Sequence, residues 1–401
     1  MSFQIKKFLA VLTLCLGSVG SVYVVLELSF PYLLHLLPLK THGYLDWRTQ
    51  TLAQYSKART IPKDYVLIAG DSYAVGKGDW LLNANQSTTP PYSSAHLIFQ
   101  HSGRDVITTG RSGHGSLISL AREPAFRHLL INAFTHYQLD APDQILVYFY
   151  EGNDLNDNLR ELRKFYDDEY NRSRILEFSY FQEFVADKIH EADRVERITR
   201  RMGVSDNLLF KEFLKKLVKS YFDDNASDTQ RVYKERNPGK HNRALVGGSE
   251  VWLPNRLQGP ALELTEEEIQ LAFYVFERSI DYLKDQFPDS SIGVVYIPSP
   301  IASYNIVSPK VHVTDLEKRN TLFSSESMRH QHRRFVDKVR TIAAERQLPF
   351  ANATDSIREA TSGNFLHGPR DWRHFNRKGY ETLAGVAIKL LGEMRQEEGQ
   401  P

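Results

Sequence analysis

Apolar and polar positions follow three different patterns along this chain. From Phe8 to Leu26 the run FLAVLTLCLGSVGSVYVVL carries no charge. Glu27 interrupts it, and a second uncharged stretch follows from Leu28 to Leu39. A membrane-spanning helix needs about 20 mostly apolar residues, so residues 1–40 read as an N-terminal anchor with its flank. Lys6 and Lys7 precede the run, which predicts a cytoplasmic N-terminus and a body on the far side of the cell membrane. Gly17-Ser18 and Gly20-Ser21 offer small residues for cleavage, but Tyr23 to Leu26 continue the apolar run past them. An uncleaved anchor is therefore favoured over a cleaved signal peptide. Leu14 before Cys15 does not suit a lipoprotein signal, so Cys15 reads as a lipid-facing residue. Residues 41–63 are mixed and polar and read as a linker or short helix leading away from the membrane.

Beyond the linker the pattern changes to short apolar runs. Tyr65–Ala69, Val106–Thr108, Ile145–Tyr150, Ile292–Ile297 and Pro349–Asn352 each suit a buried strand. Helical spacing fills the intervals. Thr265 to Glu268 forms a capping box, with Leu264 and Ile269 placed as a hydrophobic staple. Ile269, Ala272, Phe273, Phe276, Ile280 and Leu283 follow on one face. Tyr380, Leu383, Ala384, Ala387, Ile388 and Leu391 make a last amphipathic helix, for which Asn376 is an N-cap. Strands alternating with helices predict an α/β domain over 64–395, with a parallel sheet covered on both faces.

The alternation fails over about 159–260, a charged, helix-like stretch read as an insertion that caps the sheet. Within it Phe210, Phe213, Leu214, Leu217, Val218 and Tyr221 share a face, while Lys211, Lys215, Lys216 and Lys219 lie off it. Such a helix either rests on a membrane surface or packs on its own domain, and the second is favoured. The insertion is open as a lid or as a docking surface for a protein partner.

Composition narrows the classes. The chain has 401 residues, 41% hydrophobic and 25% charged, which excludes a wholly disordered chain and a multi-spanning membrane protein. Its 50 Lys and Arg balance 49 Asp and Glu, so no global field favours nucleic acid as a partner. A single cysteine excludes an intramolecular disulfide framework and a multi-cysteine metal site. His330 and His332 sit close in sequence but point to different sides of a helix, so a solvated basic face is expected there rather than a metal. Asp154, Asn156 and Asp157 lack calcium-loop spacing and read as loop capping.

Four polar segments follow predicted strands or precede the last helix, where ligands bind in open α/β sheets. Gly70-Asp71-Ser72 places a hydroxyl at a strand-to-helix turn. Gly110-Arg111-Ser112-Gly113-His114-Gly115 lets the backbone approach a ligand. Glu151-Gly152-Asn153-Asp154 offers a side-chain amide. Asp371-Trp372-Arg373-His374 spaces an acid and an imidazole so that the acid fixes the ring tautomer. There is no G-x-S-x-G nucleophile elbow.

Together these segments resemble the four blocks of the SGNH hydrolases, also called the GDSL family of esterases and lipases. The resemblance covers about 64–154 and 264–391. It implies a three-layer, flavodoxin-like α/β sandwich with Ser72 as nucleophile and with His374 and Asp371 as base and orienting acid. It further implies an oxyanion hole made by the N–H groups of Ser72 and Gly113 and the amide of Asn153, with no cofactor and no metal. Tyr73 stands where leucine is usual, Glu151 where a small residue is common, and Thr108 where asparagine is frequent. The first two are expected to reshape the pocket and the third to alter loop support. By analogy with anchored members, O-acetyl esters of a cell-envelope glycan are the expected substrate. Acetyl transfer to an exported polysaccharide, a lipid esterase or lysophospholipase, and a non-catalytic scaffold stand as alternatives. Trp80, Tyr92, Trp252 and Trp372 are candidates for stacking on sugar rings or for the core.

Overall fold

The computed structural model describes residues 3–82, 93–165, 172–189, 192–222, 237–314 and 320–398. Tyr92 lies outside them. At the centre is a five-stranded sheet of β1 (Val66–Ala69), β2 (Val106–Thr108), β3 (Gln144–Tyr150), β4 (Ser291–Ile297) and β5 (Phe350–Asn352). The strand order is β5-β4-β3-β1-β2 and every pairing is parallel. The five expected runs are these five strands, shifted by a residue at some ends.

Buried on both faces, the strands send alternate side chains into two cores. Leu67, Ala69, Ile145, Val147 and Phe149 enter one, with Val66, Ile68, Leu146, Tyr148 and Tyr150 in the other. Complete burial of an aliphatic side chain such as Val147 contributes about 1.5–3 kcal/mol. The first core is covered by α2 (Asp154–Phe165), α4 (Glu266–Gln286) and α5 (Ser325–Glu345), through Leu155, Ile269, Phe276 and Val339. The second is covered by the helix Ser94–Ser102 and by α6 (Arg377–Glu398), through Ile98, Tyr380 and Leu383. Helices therefore flank a central sheet in three layers. The capping box at α4 is formed, with Glu268 N–H donating to Thr265 Oγ1 at 3.2 Å and Thr265 N–H to Glu268 Oε2 at 3.0 Å. Asn376 Oδ1 accepts Gly379 N–H at the start of α6.

The first helix, α1 (Phe3–Ser29), carries the apolar run. Its span Lys7–Tyr32 has a mean hydropathy of 2.2 and no buried share, long and apolar enough to cross a membrane or to act as a signal sequence. Cys15 is exposed on it.

Two expectations need correction. Residues 41–63, read as a linker, pack into the main core through Leu45, Leu52 and Ala53. Several of their polar side chains are spent on backbone groups, which hid the burial. Lys57, only 2% exposed, donates to the carbonyls of Leu52 and Gln54, and burial pushes its ammonium down to about 7. Gln54 pairs with both backbone groups of Thr108. The insertion is also not helical throughout. It contains α3 (Leu209–Phe222), but it ends in a hairpin, Arg243–Val246 with Ser249–Trp252. Gly247 and Gly248 turn that hairpin with φ of 60° and 74°, and Asn305–Ile306 adds a third strand.

Candidate active site

The strand order reverses between β1 and β3. That is the crevice where open α/β sheets bind ligands, and the loops that leave these two strands carry Ser72 and Asn153. Gly70 makes the first exit possible. Its φ is 148°, and a Cβ there would meet the Tyr148 carbonyl oxygen at 2.8 Å. Asp71 then caps the turn Ser72–Val75, its Oδ1 accepting Tyr73 N–H at 2.8 Å.

Ser72 is 4% exposed, and its Oγ lies 2.9 Å from His374 Nε2. His374 Nδ1 lies 2.6 Å from Asp371 Oδ2. Residues about 300 positions apart are thus joined in one serine–imidazole–carboxylate line. Burial pushes the Asp371 carboxyl up. The hydrogen bond and charge of His374 and the N–H groups of Arg373 and His374 outweigh it, holding the group below its ordinary value. Ser72 Oγ has a second neighbour in Asp71 Oδ2 at 3.0 Å. Burial raises the Asp71 carboxyl. Ser72 Oγ thus has two acceptors within reach of its one hydroxyl hydrogen, Asp71 Oδ2 and His374 Nε2.

Tyr73 and Glu151 both turn into the interior. Tyr73 is fully buried, packs against Tyr150 with ring centroids 4.3 Å apart and planes tilted by 40°, and donates to the Arg373 carbonyl at 2.9 Å. The residue after Ser72 thereby holds the residue before His374. Glu151, also fully buried, accepts from His332 Nδ1 at 2.6 Å, Tyr296 Oη at 2.7 Å, and Ser299 N–H and Oγ at 2.7 and 2.6 Å. His332 is therefore not on a solvated face; it is 3% exposed and braces the turn that presents Asn153. Thr108 supports its loop: its hydroxyl donates to the Ala74 carbonyl at 2.7 Å and accepts Gly110 N–H at 3.2 Å.

Gly113 and Asn153 are joined to each other by a relay. Asn153 Nδ2 donates to Asp157 Oδ2 at 2.9 Å, and Arg160 Nη2 lies 2.7 Å from Asp157 Oδ1. The same Arg160 nitrogen donates to the Gly113 carbonyl at 2.8 Å. Gly113 has a φ of 71°, in the left-handed region that favours glycine. Asn153 keeps a second amide hydrogen beyond the one Asp157 takes. Asp157 is pushed up to about 7, chiefly by burial and despite Arg160. Among the described residues no group of His, Cys, Asp and Glu is arranged to hold a metal ion.

Asp157, Arg160, Asp79 and His332 were absent from the sequence-based site: Asp79 and His332 reach the motifs only in the folded chain, whereas Asp157 and Arg160 stand one and two helical turns past Asn153, where Asp157 read as loop capping. Of the sugar-stacking candidates, Trp80 and Trp372 are each 7% exposed and belong to the core, whereas Trp252 is 46% exposed on the hairpin.

No family model matches the chain, and no curated protein matches it in sequence. Among solved structures, an extracellular lipase from Streptomyces rimosus aligns at 12% identity and a TM-score of 0.39, over 83% of this chain and 100% of the lipase. A carbohydrate esterase family 2 enzyme with its carbohydrate-binding domain, from Corynascus thermopiles (Myceliophthora fergusii), aligns at 10% identity and 0.36, over 84% and 68%. An acetyl xylan esterase from the rumen bacterium Butyrivibrio proteoclasticus aligns at 11% identity and 0.32, over 83% and 64%. Likenesses at this level carry no weight beside the geometry of the site.

Proposed function

We propose that this chain is an SGNH-type serine esterase that acts on acyl esters outside the cytoplasm, anchored in the cell membrane by α1. The observation that carries the reading is the 2.9 Å approach of Ser72 Oγ to His374 Nε2, with Asp371 behind the ring.

His374 takes the serine proton as Ser72 Oγ attacks the ester carbonyl, and it returns that proton to the leaving alcohol oxygen. Asp371 fixes the Nδ1–H tautomer and stabilises the imidazolium. The oxyanion is met by the N–H groups of Ser72 and Gly113 and by the free amide hydrogen of Asn153. Water activated by His374 then cleaves the acyl-serine. No step calls for a cofactor or a metal.

The substrate reading is the O-acetyl group of an envelope glycan. Acetyl release from an O-acetylated polysaccharide, with hydrolysis of p-nitrophenyl acetate and not of long-chain esters, is the expected result. Preference for long-chain or lysophospholipid esters would replace it with a lipid esterase, a second reading favoured by the apolar helix α1. Transfer to a sugar acceptor faster than to water would make the enzyme an acetyltransferase.

A further inference from the structure

We propose that the outer face of α3 is a membrane-interface surface, seated on the same bilayer that α1 crosses and recognising anionic lipid headgroups. The proposal rests on the reading of α1 as an anchor.

The two helices are tied together. Glu27, 8% exposed near the end of the α1 span, accepts Phe210 N–H on Oε1 and Lys211 N–H on Oε2, both at 3.0 Å. Its carboxylate caps the first turn of α3. Phe210 also meets the rings of Tyr23 and Phe30, at centroid distances of 6.0 and 5.4 Å, and Phe213 meets Phe30 at 5.0 Å. The start of α3 is thus fixed where α1 leaves its apolar span.

From that joint the apolar stripe of α3 runs outward partly exposed. Leu214, Leu217 and Val218 share one face at helical spacing and are 38%, 36% and 45% exposed. Lys211, Lys215 and Lys219 lie along one flank of the stripe. Glu212 pairs loosely with Lys215 at 3.7 Å, and Lys216 turns inward to the Leu45 carbonyl. An apolar stripe with lysines beside it is the arrangement of a helix lying in the headgroup region, its apolar face about 5–10 Å deep. The helix has 14 residues, too short for a second crossing. The helix packs on its own domain through Leu209 and Phe213, as the sequence-based preference has it, while Leu214, Leu217 and Val218 stay exposed.

The test uses the full chain with Cys15→Ser, carrying Val218→Cys with a polarity-sensitive label, in vesicles of phosphatidylcholine and phosphatidylglycerol. Val19→Cys in α1 reports on the anchor, and Lys389→Cys on solvent. The Val218 label should emit to the blue and be quenched by nitroxides near the headgroups. The Val19 label should be quenched by nitroxides deep in the chains, and the Lys389 label by aqueous iodide alone. Omitting phosphatidylglycerol should weaken quenching at 218 and leave 19 unchanged. Iodide quenching at 218 while 19 still meets lipid would overturn the proposal and leave the anchor standing. Shielding at 218 from both quenchers would overturn it in favour of a protein contact. Loss of lipid quenching at 19 would remove the anchor itself.

Discussion

Asp79 holds Asp371 in place: the N–H of Asp371 donates to Asp79 Oδ1 at 2.5 Å, and the N–H of Arg370 donates to Oδ2 at 3.0 Å. One carboxylate thus fixes the backbone of another, which in turn fixes the imidazole. In Asp79→Asn only one oxygen remains to accept, so one donor loses its partner. We expect kcat to fall about tenfold, or about 1.4 kcal/mol, with KM little changed. Steady-state kinetics on p-nitrophenyl acetate, beside an unaltered circular dichroism spectrum, checks this.

The relay from Asn153 through Asp157 and Arg160 to Gly113 makes a graded prediction. Asn153→Ala removes the proposed donor to the oxyanion and should lower kcat by about a hundredfold to a thousandfold. Arg160→Ala removes only the clamp. Its side chain is 49% exposed, so the loss should be smaller and show in kcat rather than KM.

Asp157 also gives a pH test. Its carboxyl is raised in the folded state to about 7. A raised group contributes stability that is full below its unfolded value, near about 4, and is lost as pH rises through about 7. Asp157→Asn should flatten that decline. Urea unfolding at about pH 5 and about pH 8 measures it.

Glu151 carries the opposite sign. Burial pushes its carboxyl up, but the charge and hydrogen bond of His332 and the Ser299 donors outweigh it and hold it below the ordinary value. Its contribution is present above the unfolded value, near about 4.3, and is lost as pH falls through the lower folded value. His332→Ala breaks a buried pair and should cost about 3–5 kcal/mol, read as a lower thermal midpoint. An unshifted midpoint would remove the bracing role.

The parts of the fold legible in the sequence were those written locally. Val66–Ala69 and Ile145–Tyr150 are uninterrupted apolar runs because both their faces are buried. Ser72, Asn153 and the Asp371–His374 pair stand at strand ends or before a helix, where spacing alone draws attention. Long-range partners left no such mark. Asp79 and Asp371 are 292 residues apart, and Glu151 and His332 are 181. The burial of Lys57 left no mark either, because charge in a sequence does not show which carbonyls will receive it. The hairpin from Arg243 to Trp252 was missed because its strands are short and, apart from alternate residues, polar or exposed.

The central claim is a nucleophilic Ser72, and a fluorophosphonate followed by peptide mass spectrometry tests it most directly. The expected result is one adduct, on Ser72, lost in Ser72→Ala and formed far more slowly in His374→Gln. A folded protein that takes no adduct, or takes it on another residue, contradicts the account.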